Sequence, residues 1–124
     1  MKTRKIRLLS ALLALAMLLA LLPTAAFAET SNDYNYSIDS NGNVTITKYI
    51  GSGGDVVIPE ELDGHPVTII GEQAFLECTG LTSVVIPSNV MKVKANAFTW
   101  CENLTSVTFG VGFECNRLES NVFM

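Results

Sequence analysis

LTSVVIPSNVMKVKANAF, running from Leu81 to Phe98, decides the fold because the chain begins it again. Leu104-Thr105-Ser106-Val107 restates Leu81-Thr82-Ser83-Val84 at a shift of 23. Ala74-Phe75 returns as Ala97-Phe98, and Cys78 as Cys101, at the same shift. Three independent features agree on one period. A period of this size marks units that stack on one another. It says less about function, because stacked repeats bind through surface positions that the repeat leaves free.

Within one unit, Leu81, Val84 and Ile86 form a first apolar segment. Val90, Val93, Ala97 and Phe98 form a second. Neither segment can bury its apolar side within a single unit, so each must pack against the next, at roughly 1.5–3 kcal/mol per large side chain removed from water. The β-branched run VVIP, at Val56–Pro59 and again at Val84–Pro87, suits short parallel strands spaced about 4.8 Å apart. Proline at 59 and 87 ends each strand, having no N–H to donate. The shift between the two VVIP copies is 28, which puts five extra residues within Glu60 to Pro66. There Asp63-Gly64-His65-Pro66 reads as a turn. After Phe109 the register stretches by two, and Val122-Phe123 stands where Ala-Phe is expected.

Upstream, Tyr34, Tyr36 and Ile38 alternate with polar residues, as do Val44, Ile46 and Lys48 beyond Asp39-Ser40-Asn41-Gly42-Asn43. Alternation on both sides of Asn-Gly predicts a β-hairpin. The hairpin reads as an N-terminal cap over the open end of the stack. Gly51-Ser52-Gly53-Gly54 reads as a looser, flexible turn.

The first 28 residues stand apart. Lys2, Arg4, Lys5 and Arg7 precede an apolar run of 15 residues, Leu8 to Leu22. Pro23 and then Ala26-Phe27-Ala28 follow. That order predicts a Sec-type signal peptide cleaved after Ala28. A membrane anchor is the rival, but a spanning helix wants about 20 apolar residues. The expected organisation is therefore a signal peptide over 1–28, a hairpin cap over 29–55 and repeats over 56–124, with the product secreted or at the cell surface. The mature part keeps four basic residues against all twelve acidic ones, a formal net charge of −8. Such a chain is a poor partner for nucleic acid or anionic lipid, so membrane contact is expected only during export.

The pattern LTSVVIPSNVMKVKANAFTWCENLTSV resembles the BspA-like (Treponema-type) leucine-rich repeats, whose unit looks like L-x-x-[IV]-x-[IL]-P-x-x-[IV]-x-x-[IV]-G-x-x-A-F-x-x-C-x-x-L. The resemblance covers Val56 to Met124. Lys94 replaces the Gly of the pattern, Gly110 the Pro and Val122 the Ala. The resemblance implies a β-rich leucine-rich-repeat solenoid and an exported bacterial or protist protein acting in adhesion or in binding proteins and glycans. It brings no catalytic residue.

Residue chemistry points the same way. His65 is the only histidine and sits in the expected turn, read as exposed, with no nucleophile motif nearby. Asp39 to Asn43 opens like a calcium loop, yet the twelfth position is Ile50, where a carboxylate is needed. The glycines at 51–54 lack the Lys-Ser/Thr that ends a phosphate loop. No cofactor and no metal is expected. Cys78 and Cys101 should lie one coil apart. A buried column of thiols is favoured over a disulfide, because parallel side chains in register do not converge to about 3.8 Å between Cβ atoms. Cys115 is the better candidate for an exposed thiol. Trp100 reads either as an exposed binding residue or as a side chain half-covered by the next unit.

Binding is expected on the positions flanking the strands: Thr82, Ser83 and Val85, then Thr105, Ser106 and Thr108, with Trp100 beside them. The expected partner is a protein or glycan, on a host or a neighbouring-cell surface. A structural spacer or an accessory module of a larger wall protein or secreted enzyme is the alternative. Phe123-Met124 stops inside a unit, before the Cys and Leu of the pattern. This predicts a fragment of a longer array, prone to self-association through its uncapped last coil.

Overall fold

The computed structural model describes residues 33–124. The expected signal peptide, its cleavage point and residues 29–32 lie outside the described residues. Eight strands follow in order: β1 Tyr34–Ile38, β2 Val44–Tyr49, β3 Gly54–Val57, β4 Glu61–Leu62, β5 His65–Ile70, β6 Leu81–Ile86, β7 Lys92–Val93 and β8 Ser106–Phe109. A single turn of 3-10 helix spans Cys115–Arg117. No α-helix occurs among the described residues.

Two sheets line opposite walls of the coil. One is β3-β6-β8, parallel throughout: Val56 pairs with Val84, and Val84 with Val107. The other carries β2, β5 and β7 in parallel, Ile46 beside Ile70 and Ile70 beside Val93. An isolated bridge from Val93 to Leu118 extends it. The chain alternates between the sheets, so each circuit adds one rung to both. Parallel strands need long connections, and here the opposite wall of the coil supplies them.

The inward residues are the apolar ones of the two segments. Leu81, Val84 and Ile86 from one wall meet Val67, Ile70, Val90 and Val93 from the other, all buried. Pro87 follows the end of β6 directly. β3 begins earlier than VVIP implies, at Gly54, and ends at Val57. Ile58 then bonds singly to the Val85 carbonyl at 3.0 Å.

The Ala-Phe corner joins the second wall of one coil to the first wall of the next. Phe75 N–H donates to the Ala97 carbonyl (2.7 Å) and Phe98 N–H to that of Val122 (2.8 Å). The rings stack with the backbone: Phe75 on Phe98 at 4.7 Å and Phe98 on Phe123 at 5.4 Å, each tilted by 18°. Tyr49 extends the pile at 4.9 Å from Phe75, and its N–H donates to the Ala74 carbonyl.

The hairpin is joined to this pile. β1 runs antiparallel to β2 with a bulge at Asn35/Tyr36, while β2 is itself a rung of the parallel sheet. Asp39 closes the hairpin turn: its carboxylate accepts from the N–H groups of Asn41 (2.8 Å) and Asn43 (2.9 Å). The hydrogen bond from Asn43 is the main cause holding its carboxyl below the ordinary range. These bonds are what an Asx turn asks of an aspartate.

Two local expectations are corrected. The turn at Gly51–Gly54 is packed, not loose. Tyr49 Oη accepts from Gly53 N–H at 3.0 Å, and a Cβ on Gly53, where φ is +89°, would come within 2.5 Å of the Gly80 backbone. His65 is half-buried at the start of β5, and its Nδ1–H donates to the Gly42 carbonyl at 3.0 Å. The extra residues around it form a tight antiparallel ribbon of β4 and β5, turned by Asp63 and Gly64 at φ 51° and 78°. The ribbon and the hairpin are thereby tied together, a link strengthened by the Tyr36 hydroxyl donating to Asp63.

Phe98 is 1% exposed and stacked on both faces. Phe98→Ala is expected to cost about 3–5 kcal/mol in urea unfolding. A loss under ~1 kcal/mol would show that the ring pile does not hold the coils.

Candidate functional site

The outward side of β3-β6-β8 is built by alternation. Residues between the inward ones must face out, and the parallel register then stacks them in columns. Asp55, Ser83 and Ser106 form one column; Val57, Val85 and Thr108 form the next. Thr82 and Thr105 lie beside them, linked by Thr105 N–H to the Thr82 carbonyl at 2.9 Å. Five of the six residues singled out lie on β6 and β8 and Thr105 just before β8, and Thr82 and Ser83, though consecutive, both reach Asp55 on this face.

Their hydroxyls are not equally free. Ser83 Oγ donates to Asp55 at 2.7 Å, and Thr82 Oγ1 donates to the same oxygen at 3.1 Å. Thr105 Oγ1 donates to the Thr82 carbonyl at 3.2 Å. Ser106 and Thr108 are exposed and have no side-chain partner among the described residues. Sequence reasoning missed Asp55, the acceptor that orders the upper half of this face, and Val57, which is exposed beside it. The signal was present: Asp55 precedes Ser83 by 28, the offset of the two VVIP runs.

Trp100 lies elsewhere. It occupies the turn edge after the Ala-Phe corner, 61% exposed, in a hollow lined by Glu77, Thr79 and Glu102. None of the six strand residues lines that hollow. Glu77 holds the same place one coil earlier, and its N–H donates to Thr99, as that of Trp100 does to Met124. Both residues have left-handed backbones, φ 56° and 58°. That region is uncommon for a bulky side chain and costs roughly 1–2 kcal/mol for an ordinary residue. The next corner toward the N-terminus is closed instead by Gly51–Gly54.

Two of the thiols, Cys78 and Cys101, sit on the same edge. Cys78 and Cys101 are free and half-buried, not the fully buried column expected, and Cys115 is exposed. Cys101 Sγ donates to the Phe75 carbonyl at 3.0 Å. Burial pushes the Cys78 thiol up to about 11, and the neighbouring Cys101 adds to it. Burial also raises Cys101, with hydrogen bonds from Cys78 acting in the opposite direction. Both thiols are therefore held in the protonated, unreactive form. Among the described residues, no group of three His, Cys, Asp or Glu side chains gathers as metal ligands.

A raised thiol pKa in the folded state favours folding below the ordinary thiol range, and that contribution is lost as pH rises through about 11. Iodoacetamide near pH 8 is expected to label Cys115 first and to reach Cys78 and Cys101 only at higher pH or in denaturant. Equal labelling of all three under native conditions would contradict this placement.

A family profile described as "BspA type Leucine rich repeat region (6 copies)" matches residues 55–124. No curated protein matches the chain. Among solved structures, a leucine-rich repeat protein of T. pallidum is 31% identical with a TM-score of 0.63, over 67% of this chain and 39% of that one. A leucine-rich repeat protein of Bacteroides capillosus is 30% identical (TM-score 0.57), over 63% of this chain and 62% of its own. A leucine rich cell surface protein of Faecalibacterium prausnitzii is 34% identical (TM-score 0.58), over 62% and 22%. The chain thus spans less than two thirds of each of these proteins.

Proposed function

The chain belongs to the BspA-type leucine-rich repeat family, and on that premise we propose that it is an exported, cell-surface binding protein, not an enzyme, that engages an extended protein or glycan on a neighbouring surface. The observation that carries this reading is the outward face of β3-β6-β8. Three parallel strands hold small side chains in columns, and the buried coil beneath keeps that face rigid. A preorganised face loses little entropy when a ligand docks. The exposed pair Ser106 and Thr108, with Val57 and Val85, offers hydroxyls beside apolar patches.

Chemistry that breaks bonds would need an acid, base, nucleophile or metal set gathered in one place. The sheet face gathers hydroxyls around Asp55, and no histidine or thiol lies in its columns. Export rests on the basic-apolar-small order of residues 1–28. The surface location is supported by the F. prausnitzii relative, described as a cell surface protein. A second reading, a repeat block serving as a spacer in a larger protein, is favoured by the greater length of the solved relatives.

Two measurements test the proposal. Expression in a bacterial host with a cell envelope should yield a surface or secreted product whose first residue is Glu29. Arrays of glycans and immobilised extracellular proteins should give binding that Ser106→Arg with Thr108→Arg weakens by at least about tenfold without changing the unfolding midpoint. Surface display with no binding on any array would favour the spacer reading.

A further inference from the structure

The hollow at the turn edge is chemically unlike the sheet face. The four residues around it, Trp100, Glu77, Glu102 and Thr79, carry one indole ring, two carboxylates and one hydroxyl. The four come from two adjacent coils: Glu77 and Trp100 are one repeat apart, as are Thr79 and Glu102. Ionised carboxylates accept hydrogen bonds and donate none. Asn103, next to Glu102, has its side-chain amide bound to the Thr79 carbonyl at 2.6 Å. Neither Glu77 nor Glu102 has a side-chain hydrogen bond or an ion pair among the described residues, where the one ion pair is Lys92–Glu119. The hollow therefore offers acceptors and an electron-rich ring face, with a single hydroxyl as donor.

That imbalance selects a donor as its occupant. A sugar's hydroxyls can donate to the same carboxylates as a cationic head group, so hydrogen bonding alone does not separate the two occupants and charge must. A lysine or arginine head group only donates, and carries the charge that an indole face and carboxylates attract. The chain as a whole adds to this, with twelve acidic side chains against four basic ones after Ala28, although Lys48 comes near enough to act on the Cys78 thiol beside Glu77.

We infer that the Trp100 hollow is a subsite for a cationic side chain, lysine or arginine, of a partner protein, held between the indole face and the carboxylates of Glu77 and Glu102. This goes beyond the sheet-face proposal and uses a separate surface, so either can fail without the other.

Trp100 is the only tryptophan of the chain, so its fluorescence reports occupancy directly. Tetralysine and tetra-arginine, titrated into the protein, should each give a saturable change that weakens with salt. Glu77→Gln with Glu102→Gln should lower the affinity about five- to tenfold, within the range for two exposed charges. Both side chains are exposed, so the variant should keep its fold, which its melting curve checks. Glu60→Gln with Glu114→Gln removes the same charge elsewhere and should leave affinity unchanged. With a dye-labelled peptide read by anisotropy, Trp100→Ala should also weaken binding. The sheet-face pair Ser106→Arg with Thr108→Arg should not. Equal losses in the two glutamate pairs would reduce the effect to diffuse surface charge and overturn the inference. So would a saturable response to a neutral chito-oligosaccharide in place of the peptides, or no response to either.

Discussion

The corner where Ala and Phe meet sets the geometry of everything else. Parallel strands repeat at about 4.8 Å. The rings from Tyr49 to Phe123 repeat at 4.9, 4.7 and 5.4 Å, so each ring rests on its neighbour at the spacing the backbone already imposes. Hydrogen bonds from the N–H groups of Tyr49, Phe75 and Phe98 to the next coil run alongside the pile. Slipping the register by one residue would break the ring contacts and the backbone bonds together. The same corner dictates local strain. Two residues before each phenylalanine, Gln73, Asn96 and Asn121 are left-handed. Two residues after it, Glu77 and Trp100 are left-handed as well. The chain must reverse within five residues, and these are the hinges of that reversal.

Stability and recognition are separated by this design. The inward residues answer to one another and to the 23-residue spacing, which leaves them little freedom. The outward columns answer to nothing in the core. A hydroxyl at 83 or 106 leaves the packing of Val84 and Val107 unchanged, because alternate residues of a strand face opposite ways. What does organise the outer face is local: Asp55 collects the hydroxyls of Thr82 and Ser83 and fixes their rotamers. Ser106 and Thr108, one rung on, lack such an acceptor. The face therefore grades from ordered near β3 to open near β8.

This separation also explains what the sequence discloses. Leu81, Val84, Ile86, Val90, Val93, Ala97 and Phe98 could be assigned to the interior from their spacing, and all are buried. Contacts made once have no period to betray them. His65 reaches Gly42 across 23 residues of chain, and Tyr36 reaches Asp63 across 27, through side chains that occur at no equivalent position in the next coil. Tyr49 was hidden for a related reason. It takes the place of the repeat phenylalanine, but Lys48 stands before it instead of alanine, and the bulge in β1 shifts the pairing beside it. The glycines at 51–54 read as slack, whereas the Tyr49 hydroxyl needs the space that a Cβ at Gly51 would take and the Gly80 backbone leaves none for one at Gly53. The hydroxyl face is legible as a face. Its acceptor is not, since Asp55 stands before the apolar run that repeats.

Trp100 is where local preference and the observed residue disagree most. The left-handed position after the corner suits glycine or asparagine, and the equivalent place one coil earlier holds a glutamate. An indole there adds nothing to the core, since most of it lies in solvent. Its backbone conformation disfavours it by an amount comparable to what burying a methylene or two would return. The residue lies with Glu77 and Glu102 around the hollow, on a backbone anchored by the bond from Trp100 N–H to the Met124 carbonyl. An aromatic side chain with few rotatable bonds, carried on a backbone bonded in this way, loses little freedom when something docks on it. The cost to stability and the readiness to bind come from the same constraint, the five-residue reversal around the stacked phenylalanines.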